Sequence, residues 1–169
     1  MIEKLTRGTA ELNSDRLVAL ANLIPEVEYS ADNLLATAKP DGRDMSSKWE
    51  YSYVTKEGEV IVGFIVGYVR AAEANDQYPR QSLYMSELAV DTSHQGKGYA
   101  KQLVTHYLEK ALEAGVTDFT LQTNAADWNE PVRGLYERFG FREDGSKTYA
   151  NRTDVIMRAD ASAIRSSLP

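Results

Sequence analysis

The segment Gln95-Gly96-Lys97-Gly98-Tyr99-Ala100 constrains this chain more than any other. It follows an apolar stretch, Ser82 to Val90, that reads as a strand, and it precedes the most regular amphipathic run in the sequence. In that run Leu103, Val104, Tyr107, Leu108, Ala111 and Leu112 recur at helical spacing, and Gly115 can close the helix from the C′ position. Two glycines and an alanine let backbone approach a ligand closely, and a helix's first turn has free N–H groups. The loop can therefore hold a phosphate or pyrophosphate. A tight strand-to-helix turn that needs glycine only for geometry fits the same residues. Two common phosphate cradles fail on spacing. A P-loop needs glycine at 91 and Ser or Thr at 98, where the chain has Asp91 and Gly98, and a Rossmann fingerprint needs Gly or Ala at 101, which is Lys101.

The rest of the chain reads around this core. A short strand is expected near Ile2 to Thr6. Ser14 can cap a helix whose apolar residues Leu17, Val18, Leu20, Ala21 and Ile24 form one face, with Pro25 as its stop, and Ser30 can cap a second helix reaching about Lys39. Trp49 to Thr55 alternates aromatic and polar residues as a strand does, Lys56 to Glu59 can turn, and Val60 to Arg70 returns. Beyond the long helix come a strand, Val116 to Thr123, and a helix, Pro131 to Phe139, with Gly140 past its end. Two final strands follow, Phe141 to Asp144 and Thr153 to Arg158. The order β-α-α-β-β-β-α-β-α-β-β predicts an α/β (α+β) fold with about four helices on both faces of a mixed sheet.

Composition removes several chemistries. At 169 residues the chain is long enough for one domain, expected over 1–160, with a small polar tail at 161–169 that would fray. It has no cysteine and two histidines, His94 and His106, which excludes disulfides, thiolate zinc sites and cysteine nucleophiles and argues against a multi-histidine metal site; no metal is expected. A net charge of −6 without a Lys/Arg block argues against nucleic acid. The longest apolar run, Val60 to Val69, is about half the roughly 20 residues that span a bilayer, so no membrane partner is expected. The first residues lack the form of a signal peptide, and a cytoplasmic location follows as an expectation.

Q-G-K-G-Y-A resembles the Q/R-x-x-G-x-G/A acetyl-CoA loop of the GNAT superfamily of N-acetyltransferases. Ser86-Glu87-Leu88-Ala89-Val90 looks like that family's central strand. Asn129 and Tyr136, in N-E-P-V-R-G-L-Y-E-R-F-G-F, are similar to its second signature, with Val132 where the family has alanine. The resemblance is close over about Leu83 to Phe141 and implies a mixed, mostly antiparallel sheet of about six or seven strands. It implies acetyl-CoA as co-substrate. The pyrophosphate would lie on the loop residues Gln95, Gly96, Lys97, Gly98, Tyr99 and Ala100, at the positive end of the helix. The pantetheine arm would pair with the backbone of the Leu88-Ala89-Val90 strand and meet Asn129.

Acetyl transfer to an amine needs a neutral amine, a stabilised oxyanion and a protonated leaving thiolate. Alkyl ammonium groups titrate near 10, so a base is required. Glu87 stands beside the loop and could serve directly or through a water. A solvated carboxylate or a partner for Arg70 is the plainer reading of Glu87, and Glu73 and Asp127 are alternative bases. Tyr136 would be the general acid, since a phenol near 10 and a thiol near 8.5 are close enough for proton transfer. Without the resemblance it reads as a core tyrosine. His94 flanks the loop and could be a base, though surface is its plainer reading; His106 reads as a helix edge, and the adjacent Asp91, Ser93 and His94 are too close in sequence for a triad.

Acceptor choice is expected in the first half and the strand-edge loops, from Glu26, Glu28, Tyr29, Trp49, Tyr51, Tyr53, Glu73 and Asp76. Trp49, Tyr51 and Tyr53 could equally be core, alternating on one strand face. The acidic balance points to a small, cationic primary amine as acceptor. A protein or peptide acceptor and a non-catalytic coenzyme A sensor are the alternatives. A homodimer through the edge of the last strands is a further expectation.

Overall fold

The computed structural model describes residues 1–74 and 77–169. Its strands are β1 (Ile2–Lys4), β2 (Tyr53–Glu57), β3 (Val60–Arg70), β4 (Ser82–Val90), β5 (Asp118–Asn124), β6 (Arg142–Thr148) and β7 (Thr153–Asp160). They form one sheet in the order β1-β2-β3-β4-β5-β7-β6, antiparallel except where β4 meets β5. The strands expected at Val60–Arg70 and Ser82–Val90 occupy those residues. Helices α1 (Arg7–Leu12), α2 (Ser14–Ala21) and α3 (Ala31–Leu35) cover one face; α4 (Tyr99–Glu113), α5 (Glu130–Arg138) and α6 (Ala161–Ser167) belong with the other.

Six helices are thus present among the described residues where about four were expected. Ser14 is the first helical residue of α2, not its cap, because α1 runs before it and Asn13 stands between them. Only Ala10 of α1 is buried, so this helix shows no apolar periodicity. Ser30 does cap α3, with Asn33 reciprocating, but the helix ends at Leu35. Ser46–Trp49 is a 3-10 turn, and β2 starts only at Tyr53, so Trp49, Tyr51 and Tyr53 do not share a strand face. Where composition suggested a frayed tail, Asp160 caps α6 and Ile164 is fully buried. The outer strand β6 is exposed throughout, carries Arg142, Glu143, Asp144 and Lys147, and is interrupted between Glu143 and Ser146. Charge and irregularity are what keep edge strands from pairing, which argues against a dimer along this edge.

Two cores flank the sheet. Leu83, Met85, Leu103, Tyr107, Phe119, Tyr136 and Phe141 pack on the α4–α6 side, and Leu17, Leu20, Leu34, Phe64, Val66 and Ala89 on the α1–α3 side. The two central strands then separate. β4 pairs with β5 only over Leu83–Met85 against Phe119–Leu121, so from Ser86 onward its β5-facing edge is open. In the same place its pairing with β3 slips. Val66 faces Glu87 and Gly67 faces Met85, so Ser86 is an extra, bulged residue.

Candidate active site

The opening between β4 and β5 is a cleft of about 660 Å³. Its walls include Tyr29 and Lys48 from the α1–α3 side, Glu87 and Leu88 from β4, and Asn129 and Tyr136 from the α5 side. The bulge decides what faces it. Side chains alternate along a strand, and one extra residue exchanges the faces of all that follow. Met85 belongs to the α4–α6 core, whereas Glu87, opposite Val66, lies on the α1–α3 face with Ala89.

Glu87 is half-buried, and burial pushes its carboxyl up to about 7, against the opposing pull of Lys39, Lys48 and Arg152. Its expected partner Arg70 is engaged elsewhere, on Glu73 at 3.2 Å and over the Tyr78 ring at 3.3 Å. Glu73 is held by Arg70 and by Arg43 at 3.5 Å, and Asp127 is exposed; neither lines the cleft. Of the three carboxylates weighed as a base, Glu87, Glu73 and Asp127, Glu87 is the one that lines the cleft.

Tyr136 is 5% exposed and packs edge-on to Phe141. Burial, and then the Glu87 charge, push its pKa up. Its hydroxyl has no hydrogen-bond partner among the described residues. Asn129 does not cap α5 with its side chain. Its Nδ2 donates to Thr123 Oγ1 at 2.7 Å and to the Asn124 carbonyl at 2.8 Å, leaving Oδ1 to the cleft.

The backbone of β4 is sorted by one hydrogen bond. Asp91 N donates to Val62 O at 2.8 Å, so by antiparallel alternation Ala89 also turns its N–H and C=O to β3. Leu88 and Val90 therefore turn theirs to the open side. Ala89, with a buried side chain, faces neither way into the cleft. Gln95 Nε2 donates to the Val90 carbonyl at 3.2 Å, tying the loop to the strand end. Gly96 and Gly98 have φ of 79° and 86°, a region that favours glycine, and no side chain caps α4. Tyr99 and Ala100 start α4 half-buried against the core, so their amides are the free donors of a fifteen-residue helix. Lys97 is half-exposed, 3.8 Å from Glu57.

The flanking residues are structural. His94 Nε2 lies 2.7 Å from Glu57, and Ser93 Oγ donates to Asp91, which Arg16 also pairs at 2.6 Å. Of the acceptor candidates, Tyr29 and Glu28 line the cleft, while Tyr53 is core, edge-on to His106 at 4.7 Å. Glu26 adopts a φ of 66° and bridges the cleft rim, its Oε2 accepting from Asn124 at 2.8 Å and its carbonyl from Arg152 at 3.3 Å. Asp76 lies outside the described residues. The three basic lining residues were not singled out in the sequence. Lys48, Lys39 and Arg152 carry no motif there, and only the fold brings them together. Among the described residues no three His, Asp or Glu side chains converge as a metal would require, and no helix is long and apolar enough to cross a membrane.

Residues 16–141 match the acetyltransferase (GNAT) family. An uncharacterized N-acetyltransferase, YsnE of Bacillus subtilis (strain 168), is 38% identical over 58 residues, which is 34% of this chain and 38% of that protein. The chain thus spans well under half the length of this relative. The L-2,4-diaminobutyric acid acetyltransferase of Marinococcus halophilus is 24% identical over 134 residues, covering 73% of each chain. Among solved structures, the NatC complex bound to Gag peptide and CoA contains a chain that superposes with a TM-score of 0.74. The identity is 20%, with 95% of this chain and 97% of that one covered, a likeness of fold.

Proposed function

The chain belongs to the acetyltransferase (GNAT) family, and from that premise we propose that it transfers acetyl from acetyl-CoA to a primary amine of a small molecule by direct attack. The observation that carries this is the Ser86 bulge, which turns Glu87 into the splay between β4 and β5 beside the open backbone of Leu88 and Val90. The glycine loop fits the coenzyme's pyrophosphate. A Cβ built on Gly96 meets nothing within 4 Å, so its glycine is not explained by packing, and the uncapped amides of α4 follow at once.

Each residue then has a part in the reaction. Bound coenzyme supplies the thioester that the amine attacks. Leu88 and Val90 hold the pantetheine arm as an added strand would, and an N–H on that edge stabilises the charge gathering on the carbonyl oxygen. Glu87, with a carboxyl near 7, is ionised in about half of the molecules at neutral pH, and in that form it takes the ammonium proton, directly or through a water. Tyr136 holds its proton at neutral pH and donates it as negative charge gathers on the leaving sulfur; its raised pKa makes it a weaker acid than a free phenol, so the transfer depends on placement at the sulfur. Asn129 offers Oδ1 to an N–H of the arm.

The test is release of free thiol over a panel of amines, with peptides in parallel. Amine-dependent release, with higher kcat/KM for free amines than for peptides, supports the reading. Coenzyme binding without turnover of any amine or peptide overturns it in favour of a sensor.

A further inference from the structure

Lys48 is a buried cation on which Glu87 acts only from beyond ion-pair distance. It is 3% exposed, and its Nζ donates to the Leu34 carbonyl at 2.9 Å, with that of Asn33 at 3.4 Å. Among the described residues no carboxylate lies within ion-pair distance of it. An ammonium has three protons and these carbonyls take two; the Trp49 ring lies 5.3 Å from Nζ, and Lys48 also lines the cleft. Burying such a charge unpaired is costly, and burial indeed pulls the Lys48 pKa down to about 8. Lys39, on the same wall, is exposed, and its side chain has no hydrogen-bond or ion-pair partner among the described residues. Arg152 completes the group but is already bound to Asp154 at 3.1 Å. All three act on Glu87, so the charges that bear on the base are cationic although the chain as a whole carries −6 and Glu28, Asp32 and Asp154 line the same cleft.

We propose that Lys48 and Lys39 form an anion-binding subsite for the acceptor, which is therefore an amine carrying a carboxylate of its own, a zwitterion of the amino-acid type. The inference rests on the acetyl-transfer reading, names its acceptor class, and replaces the cationic acceptor that net charge suggests. An acceptor bearing only positive charge would meet two lysines beside the base. A zwitterion meets both signs, since the exposed carboxylates of Glu28 and Asp32 line the same cleft.

The experiment is calorimetric binding to the coenzyme-A-saturated protein of two matched ligand sets, N-acetyl amino acids and their carboxamides. Wild type should prefer the carboxylates by about tenfold or more, as sites built around a polar group reject analogues that lack it. Lys39→Gln, an exposed position that leaves the fold intact, should reduce the preference by weakening the acids alone. Lys48→Met should reduce it further. Equal affinity for both sets, no binding of either, or a preference that survives both variants overturns the proposal and leaves Lys48 as a counter-charge for Glu87. The binding arm needs no catalysis, so absent turnover would defeat the acetyl-transfer reading without deciding this one.

Discussion

Met85 and Glu87 stand two residues apart on β4 yet face opposite layers of the protein, because Ser86 bulges between them. In an unbroken strand they would share a face, and Glu87 would be driven into the core beneath α4. The bulge keeps Met85 there and delivers the carboxylate to the cleft.

Glu87→Gln should therefore lower kcat by about 10²–10⁴-fold, the range of a positioned base, without weakening coenzyme binding. In wild type, log kcat/KM should rise with pH to a plateau with its bend near 7, where the Glu87 carboxyl ionises. The pH–rate profile of the variant should lack that bend. A bend that persists assigns the base to another group.

The same substitution should stabilise the ligand-free fold, and the sign can be worked out. The folded carboxyl titrates near 7 against an ordinary value of 4.5, so between these values the unfolded chain releases a proton that the native state retains. Stability falls as pH rises through that window, and above 7 the whole difference, roughly 3 kcal/mol at most, counts against the fold. Denaturant midpoints should show Glu87→Gln gaining at pH 8 and nothing at pH 4.

Tyr136→Phe separates catalysis from binding. The hydroxyl makes no hydrogen bond among the described residues, and the ring packs on Phe141, so the variant should fold with near wild-type stability. Coenzyme affinity should be kept and kcat should fall by about 10–10³-fold. A parallel loss of coenzyme affinity would move Tyr136 from acid to binding residue.

Gly67 faces Tyr107 with no room for a methyl group. A Cβ there would lie 2.4 Å from the hydroxyl oxygen and 2.5 Å from Cε2 of a ring only 1% exposed. Gly67→Ala should cost about 1–3 kcal/mol by overpacking. The Tyr107 hydroxyl is buried without a hydrogen-bond partner among the described residues, so Tyr107→Phe alone should gain about 1 kcal/mol. The double variant should recover part of the loss. Strict additivity would show that the contact is not the cause.

How far the chain could be read from its residues follows from the range of each signal. β3, β4 and α4 are long and evenly patterned, and Gly115 marks the end of α4 by a positive φ of 84°, so each was legible. The bulge was not. Leu83, Met85, Glu87 and Ala89 alternate without interruption, and only pairing with β3 shows the slip. Trp49 to Tyr53 kept the alternation of a strand while its first residue closed a 3-10 turn. Lys48 looks like any surface lysine until the carbonyls of α3 close over it. The loop and the paired signatures marked the proposed donor side of the site, whereas the proposed acceptor side is assembled from distant positions that share no motif.

Gly96 offers the cleanest test of the donor side, because its backbone and its surroundings give separable effects. Its φ of 79° is strained for any side chain, yet a Cβ there meets nothing within 4 Å. Gly58, in the β2–β3 turn, has the same two properties, a φ of 61° and open space, but lies away from the cleft. Gly96→Ala and Gly58→Ala should therefore lose similar stability, about 1–2 kcal/mol each from the left-handed backbone. If the space over Gly96 is where the pyrophosphate rests, only Gly96→Ala should raise the Kd for acetyl-CoA, by about tenfold or more. Equal coenzyme affinity in the two variants would leave the glycine loop as a turn and nothing else.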